Sequence, residues 1–546
     1  MHWRIYLLAR LCLLTALPAL ACGGSSYERP AYATGPQVRT VRLSPNAGQA
    51  TLDAATGHLF IPDPDRHLVE MRSAATGNPL RTIPAGKSTM APLLDARRSH
   101  IFVTDGDAAG RAGSVLVVDT RTGRVLRAVA VGPNPQPILL DEGAARLLVS
   151  TATNRMLIRP ATNQFLDESQ AARATIVILD ASTGRITARI PSPGPVFFGT
   201  LDPQRHRATV LYSNRIGQPN VGYGVVDTRT GRPLAIVDAN RNCQQPVLDL
   251  QRGIAMIIDT DESTVHVVNM ATGMVLHTIK VDTSPEGGAI DPRNGRAYIV
   301  SLGLSFSGVA ANSTFSVLDL RAGTVLRKVP VGENVTGISL NPAGDRAFVA
   351  LGTGDLVMLD TGTGRLLRTT HVGLISGYSP VFLSHGLAYA MSFGDVTSSG
   401  SIVANTSGML RVLDAHDGAL LRTVLVGVNP SWPPLPDATG RRLFFSSTGP
   451  IDNMNAFPSG TGTVSVVDAA TSRLLRKVAV GIGPSPIGLD PASGHLLVLN
   501  AQGDGTAPPS PDHGIPVCSA KTPMVGPYPA PCRHPAATLS IITLAP

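Results

Sequence analysis

The sequence predicts an all-β fold of tandem four-stranded antiparallel units closed into a ring. Three observations predict it. One phrase recurs: VVDTRTGRVLRAVAVG at 117–132, LDLRAGTVLRKVPVG at 318–332 and VDAATSRLLRKVAVG at 467–481. A second turn phrase alternates with it: AIDPRNGRAYIV at 289–300, ISLNPAGDRAFVAL at 338–351 and PIGLDPASGHLLVLN at 486–500. The two ends of the chain also read as complementary parts of one more unit. A phrase repeated at a fixed period marks a structural unit that buries its apolar face only by stacking on copies of itself.

The totals agree. The chain has 546 residues, 43% of them hydrophobic, with 55 Gly and 44 Pro. That composition is globular, and its many turn residues suit short strands better than long helices.

Residues 1–21 stand apart as a signal peptide. Arg4 and Arg10 supply a charged start, LCLLTALPALA an apolar stretch of 11 residues, and Ala19-Leu20-Ala21 a small-residue cleavage site. The apolar stretch is too short to span a bilayer, and no later segment has 18 uncharged apolar residues. Cleavage would expose Cys22 ahead of Gly23-Gly24-Ser25-Ser26, which resembles a bacterial lipoprotein signal with a lipidated Cys22. Ala19 stands where that family prefers Leu, and an ordinary secretory site fits the same residues. Residues 22–36 read as a tether. Without Arg4 and Arg10 the chain keeps 44 basic against 38 acidic residues, about +6, which does not argue for nucleic acid.

The repeats fill 37–546. In the first phrase Asp119, Asp180, Asp227, Asn269, Asp319, Asp360, Asp414 and Asp468 stand four residues before the turn position. Asp or Asn there folds its side chain onto the backbone to start a turn, and Gly supplies a positive φ. Apolar β-branched runs flank the turn, so the phrase is a hairpin; the D/N-P phrase is a second one. One unit is therefore four antiparallel strands. The combination IFVTD (101–105), SVLVVDTRTG, RVLRAVAVG and P-x-P-I-x-LD resembles the YVTN-type β-propeller repeat. The resemblance implies blades around a central channel, and no single activity. Nine internal copies and one shared between the ends give ten. The alternative is two smaller propellers.

Closure is expected from the ends. Arg39 stands four residues after Gly35, as Arg81, Arg127, Arg327, Arg368, Arg422 and Arg476 stand in other copies, so the N-terminus supplies an outer strand. ATLSIITLAP at the C-terminus reads as a third strand. Paired, they complete a blade and remove a free edge. The repeated arginines read as edge charges that discourage aggregation, or as a basic belt for an acidic polymer.

Function is placed on the joins. Longer joins at 153–173, 302–313, 393–408, 447–462 and 501–536 all fall between the second and third strands of a unit. In a ring one slot means one face, and insertions on one face often mark a binding surface. Phe165, Phe306, Phe393, Phe457 and Tyr528 are candidate anchors for a partner, or pins for their own loops. Cys518 and Cys532, in a Pro-rich stretch of an exported chain, are a candidate disulfide. Asp63 with Asp65, Asp105 with Asp107, and Asp259 with Asp261 and Glu262 place oxygen ligands in loops, without a complete calcium motif. Trp432 is the single Trp after the signal, unlike propellers that stack flat ligands on repeated Trp. No H-E-x-x-H, C-x-x-C-H, phosphate-binding loop or G-x-S-x-G occurs, so no cofactor, metal or catalytic residue is assigned.

The expected function is a non-enzymatic binding scaffold in the periplasm or at the cell surface. Its expected partner is a protein or polymer of the cell envelope. The membrane is reached only through a lipid anchor, nucleic acid is disfavoured, and the chain is a monomer. The resemblance leaves two alternatives: a lactonase-like hydrolase using the channel, and a single-stranded nucleic-acid binder.

Overall fold

The computed structural model describes residues 37–544, apart from 46, 87–88, 90, 107–111, 153–173, 214–220, 238–242, 304–311, 374–380, 393–406, 432, 450–459, 502–523, 526–527 and 530–535. Among these residues there is no helix, and the strands form ten four-stranded antiparallel sheets and one short two-stranded ladder. The fold is a ten-bladed β-propeller.

Each blade runs A to D from the inside outward. Blade 1 has strands Thr51–Asp53, His58–Asp63, Leu68–Ser73 and Pro79–Pro84, hydrogen-bonded in that order. The remaining blades follow at 93–130, 136–192, 196–237, 247–280, 285–332, 335–371, 382–428 and 435–479. Strands B and C are buried on both sides, which is why their sequence is a continuous apolar run rather than an alternation. Strand D faces water along most of its length.

Blade 10 takes strands A to C from Pro484–Asp490, His495–Asn500 and Thr538–Thr543, and strand D from Val38–Arg42. The seam pairs Val38 with Ile542, Val41 with Leu539 and Arg42 with Thr538. Both chain ends thus sit in one sheet, as expected, and neither leaves an open edge.

The core is not inside the blades but between them. Ten apolar clusters each draw on two neighbouring blades. The cluster joining blade 10 to blade 1 packs Leu497, Leu499, Leu539 and Ile541 against Leu59 and Ile61. Ten blades with ten joints make one ring, so the alternative of two smaller propellers is set aside.

The C–D turns are built as the sequence implied. Asp119 Oδ1 accepts the Thr122 amide at 2.7 Å, and Asp180, Asp227, Asn269, Asp319, Asp360, Asp414 and Asp468 do the same in their blades. The Thr363 amide at Asp360 and the Thr471 hydroxyl at Asp468 hold those carboxyls below their usual range. Where blade 9 has Ser472 in place of the turn glycine, the backbone still adopts φ 54°.

Three of the outer-strand arginines also do a job that neither sequence reading gave them. Arg81 Nη1 donates to the Thr122 carbonyl at 3.1 Å, Arg127 Nη1 to Ser182 at 3.3 Å, and Arg368 Nε to Asp417 at 2.8 Å. Each acceptor is the C–D turn of the next blade. His277 takes the same place in blade 5, its Nε2 lying 3.0 Å from the Arg321 carbonyl. These side chains are latches from blade to blade, set over the apolar joints.

Candidate functional site

The antiparallel order gives the ring two unlike faces. A–B and C–D turns share one, and B–C connections and D-to-A crossings share the other. On the turn face every connection is two to five residues long. On the loop face the B–C connection varies from 352–354 in blade 7 to 501–537 in blade 10. All five long insertions leave this face, at the slot the repeat pattern placed them.

Four of the five are mounted alike, and the crossing into blade 8, at 374–380, lies outside the described residues. In the crossing between blades one residue takes a left-handed backbone: Asn134 (φ 44°), Ser284 (φ 53°), Asn334 (φ 57°), Asn429 (φ 51°) or Gly483 (φ 65°). Asn tolerates this conformation because its short side chain bonds locally. The kinked crossing then holds the end of strand B. The Ala152 amide donates to the Pro133 carbonyl and Asn134 Nδ2 to the Ala152 carbonyl, both at 3.0 Å. Leu302 donates to Ser284 at 2.9 Å, Thr448 to Asn429 at 3.0 Å, and Ala501 to Gly483 at 3.2 Å. Asn429 Nδ2 reaches the Gly449 carbonyl at 2.8 Å. In blade 7, with its short turn, Gly352 donates to the Asn334 carbonyl at 2.6 Å. The mount is therefore independent of the loop it carries. These residues were not singled out from the sequence, yet a signal was there: VGPN at 131–134, VGEN at 331–334 and VGVN at 426–429.

Phe165, Phe306, Phe393 and Phe457, and Cys22, Cys518 and Cys532, lie outside the described residues. Tyr528 belongs to the short strand Tyr528–Pro529, paired with Met524–Val525, and its side chain is outside the description. The structure therefore neither assembles these residues into a site nor separates them.

The inner strands of adjacent blades abut around the channel. Five are bulged at one place, at Ile138, Phe197, Glu286, Thr336 and Ile487. A bulge re-aims the side chain at the extra residue. Phe197 there is 56% exposed. Glu286 is the one ionisable side chain among the five, and burial pushes its carboxyl above the usual range.

At the other end of the inner strands sit buried carboxylates, Asp95, Asp202 and Asp249 among them. Each pairs with an arginine three residues on: Arg98 at 2.8 Å, Arg205 at 2.9 Å and Arg252 at 3.0 Å. The same guanidinium groups donate to the next blade, Arg98 to the Glu142 carbonyl, Arg205 to Leu250 and Arg252 to Pro292. Blade 3 has no such arginine, and its Asp141 is held from blade 4 instead, by the Thr228 hydroxyl at 2.5 Å and His206 Nδ1 at 2.8 Å. These acids are structural staples.

Of the acidic loop groups, Asp63 accepts from Ser44 and pairs with Arg66 at 3.5 Å, and Asp107 lies outside the described residues. Among the described residues no group of three or more His, Cys, Asp or Glu side chains is placed to hold a metal ion.

No family model matches the chain, and no curated protein matches it. Solved structures do. BamB from Moraxella catarrhalis is 12% identical over 70% of this chain and 94% of its own, with a TM-score of 0.36. The dihydro-heme d1 dehydrogenase NirN is 13% identical over 70% and 77%, TM-score 0.36. The computationally designed protein Ika8 is 13% identical over 68% and 100%, TM-score 0.35. At this identity and overlap they assign neither family nor function.

Proposed function

We propose that the chain is an exported binding scaffold that holds a protein or polymer partner on its loop face. One observation carries this reading: five long connections begin and end on one face, four of them on the same hydrogen-bonded mount among the described residues, while the opposite face has only tight turns. A rigid ring that displays variable loops can bind without catalytic groups, since complementarity resides in the loops and pre-organisation in the ring.

The remaining parts of the reading follow from the sequence. Residues 1–21 direct export, 22–36 tether the ring, and Cys22 carries a lipid that holds the chain at the periplasmic membrane or cell surface. Phe165, Phe306, Phe393, Phe457 and Tyr528 are the partner anchors, and a Cys518–Cys532 disulfide stiffens the longest insertion. The repeat is of the YVTN type, and the ring acts as a monomer.

The test is a photo-crosslinking residue placed at Leu302 or Thr448 on the loop face, and at Thr122 on the turn face, in the native envelope. Discrete crosslinked products from the loop-face positions alone are expected. Equal yields from both faces, or none from the loop face, would reject the reading. Replacing 502–535 by a short Gly-Ser linker is expected to leave the ring folded and to weaken capture. For the anchor, Cys22→Ala is expected to release the protein from the membrane fraction.

A further inference from the structure

On the turn face, a C–D turn nests in a recess of the blade before it, as Gly123 packs on Arg81, Gly184 on Arg127 and Gly418 on Arg368. The recess lies between that blade's A–B turn and its strand D. Blade 3 shows the fit: Ser182 Oγ accepts Arg98 Nε at 3.0 Å from the A–B turn of blade 2, and the Ser182 carbonyl accepts Arg127 Nη1 at 3.3 Å from its strand D. Blade 10 is built differently. Its strand C, Thr538–Thr543, and its strand D, Val38–Arg42, come from opposite ends of the chain, so no turn joins them.

The recess of blade 9 that faces this seam is a cleft of ≈ 520 Å³. The A–B turn, with Asp437, Arg441 and Arg442, forms one wall, strand D with Leu475 and Arg476 another, and Leu544 closes it. Its two carboxylates are already engaged. Asp437 takes Arg442 Nε and the Thr439 hydroxyl, each at 2.9 Å. Asp468 takes the amide and hydroxyl of Thr471, each at 2.7 Å. Arg441 and Arg476 differ: neither guanidinium makes a hydrogen bond or ion pair among the described residues. Arg476 holds the place from which Arg81, Arg127 and Arg368 donate to a turn carbonyl.

We propose that this seam cleft binds a small oxyanion, with a carboxylate or phosphate group between Arg441 and Arg476 and a short alkyl chain against Leu475, Val466 and Leu544. The anion takes the role that a turn carbonyl plays for Arg81, Arg127 and Arg368. Guanidinium suits it, because its fixed fork of donors matches two oxygens at once. The apolar wall gives preference to an anion that carries a few methylenes.

Calorimetry on the mature chain, with inorganic phosphate and separately with hexanoate, tests the proposal. Saturable one-to-one binding of both is expected. It should weaken about tenfold or more in the Arg441→Gln, Arg476→Gln double variant, as loss of charge-assisted bonds implies. Arg422→Gln, on a strand D whose neighbouring blade has its turn, should bind as the parent does. A melting curve for each variant separates lost binding from lost folding. Absence of saturable binding, or binding unchanged in the double variant, would overturn the proposal. So would binding that appears only when 22–35 are removed. That outcome would assign the cleft to Ala33-Thr34-Gly35 of this same chain, which repeats the turn sequence Ala75-Thr76-Gly77.

Discussion

At the scale of single residues, the turn glycines separate two costs that usually arrive together. Gly231 (φ +71°) lies so close to blade 3 that a Cβ would stand 2.2 Å from the Ala188 Cβ, whereas Gly440 (φ +68°) has nothing within 4 Å. Gly440→Ala carries backbone strain alone, about 1 kcal/mol, while Gly231→Ala adds overpacking of about 1–3 kcal/mol. Urea midpoints for both variants check this, and equal shifts would remove the packing argument. Glu286 offers a second test. Burial raises its carboxyl, so the folded chain holds that proton more tightly than the unfolded chain. The stability it contributes is complete below the ordinary carboxylate range and is lost as pH rises through the raised value. Glu286→Gln is therefore expected to be neutral near pH ~4 and stabilising near pH ~7. A melting difference constant across that range would show that the carboxyl is not perturbed. From the sequence, the recurring geometry of the Asp turns was legible because the bond runs between residues three apart. The state of Glu286 was not, because its burial comes from neighbouring strands.

At the scale of elements, each blade is a separate hairpin pair and the joints decide how blades hold together. The blade 3–4 joint depends on Asp141. Burial alone would raise this carboxyl, but the Thr228 hydroxyl, the Ala144 amide and the His206 ring outweigh it and hold it below its usual range. A lowered value means stability that is present above the ordinary carboxylate range and lost as pH falls through the folded value. Asp141→Asn is expected to cost about 2 kcal/mol at neutral pH, as a hydrogen-bonded charge is replaced by a neutral group. The difference from the parent should shrink in acid, and urea midpoints at neutral and acid pH measure it. The same scale explains what the sequence did not show of the arginines. Their place on strand D was visible in the spacing from the turn glycine. Their acceptors belong to the following blade, some 40 to 55 residues away, as for Arg81 with Thr122 and Arg127 with Ser182.

At the scale of the whole molecule, closure depends on five residue pairs between the chain's two ends. Val41→Cys with Leu539→Cys places two thiols on directly paired positions. The disulfide is expected to form in the oxidised protein and to raise unfolding stability by about 2–4 kcal/mol, with the gain lost on reduction. Removing 37–42 instead is expected to expose the edge of Thr538–Thr543 and to give a larger, association-prone particle in solution scattering. A truncated chain that stays monomeric with an unchanged radius would show that the seam is not what holds the ring shut.

The sequence by itself determined the strands, both turn types, the ten units and the single slot of the insertions. Each of these rests on residues a few positions apart, or on the count of a repeat. Only the tertiary structure decided that ten blades make one ring, that the arginines latch neighbours, and that kinked crossings clamp the loop bases. It also decided that the seam leaves a recess whose Arg441 and Arg476 guanidinium groups have no partner among the described residues. The physical reason is common to all four. These features are contacts between blades, and their geometry depends on how the sheets curve round to meet, which no local stretch of sequence encodes.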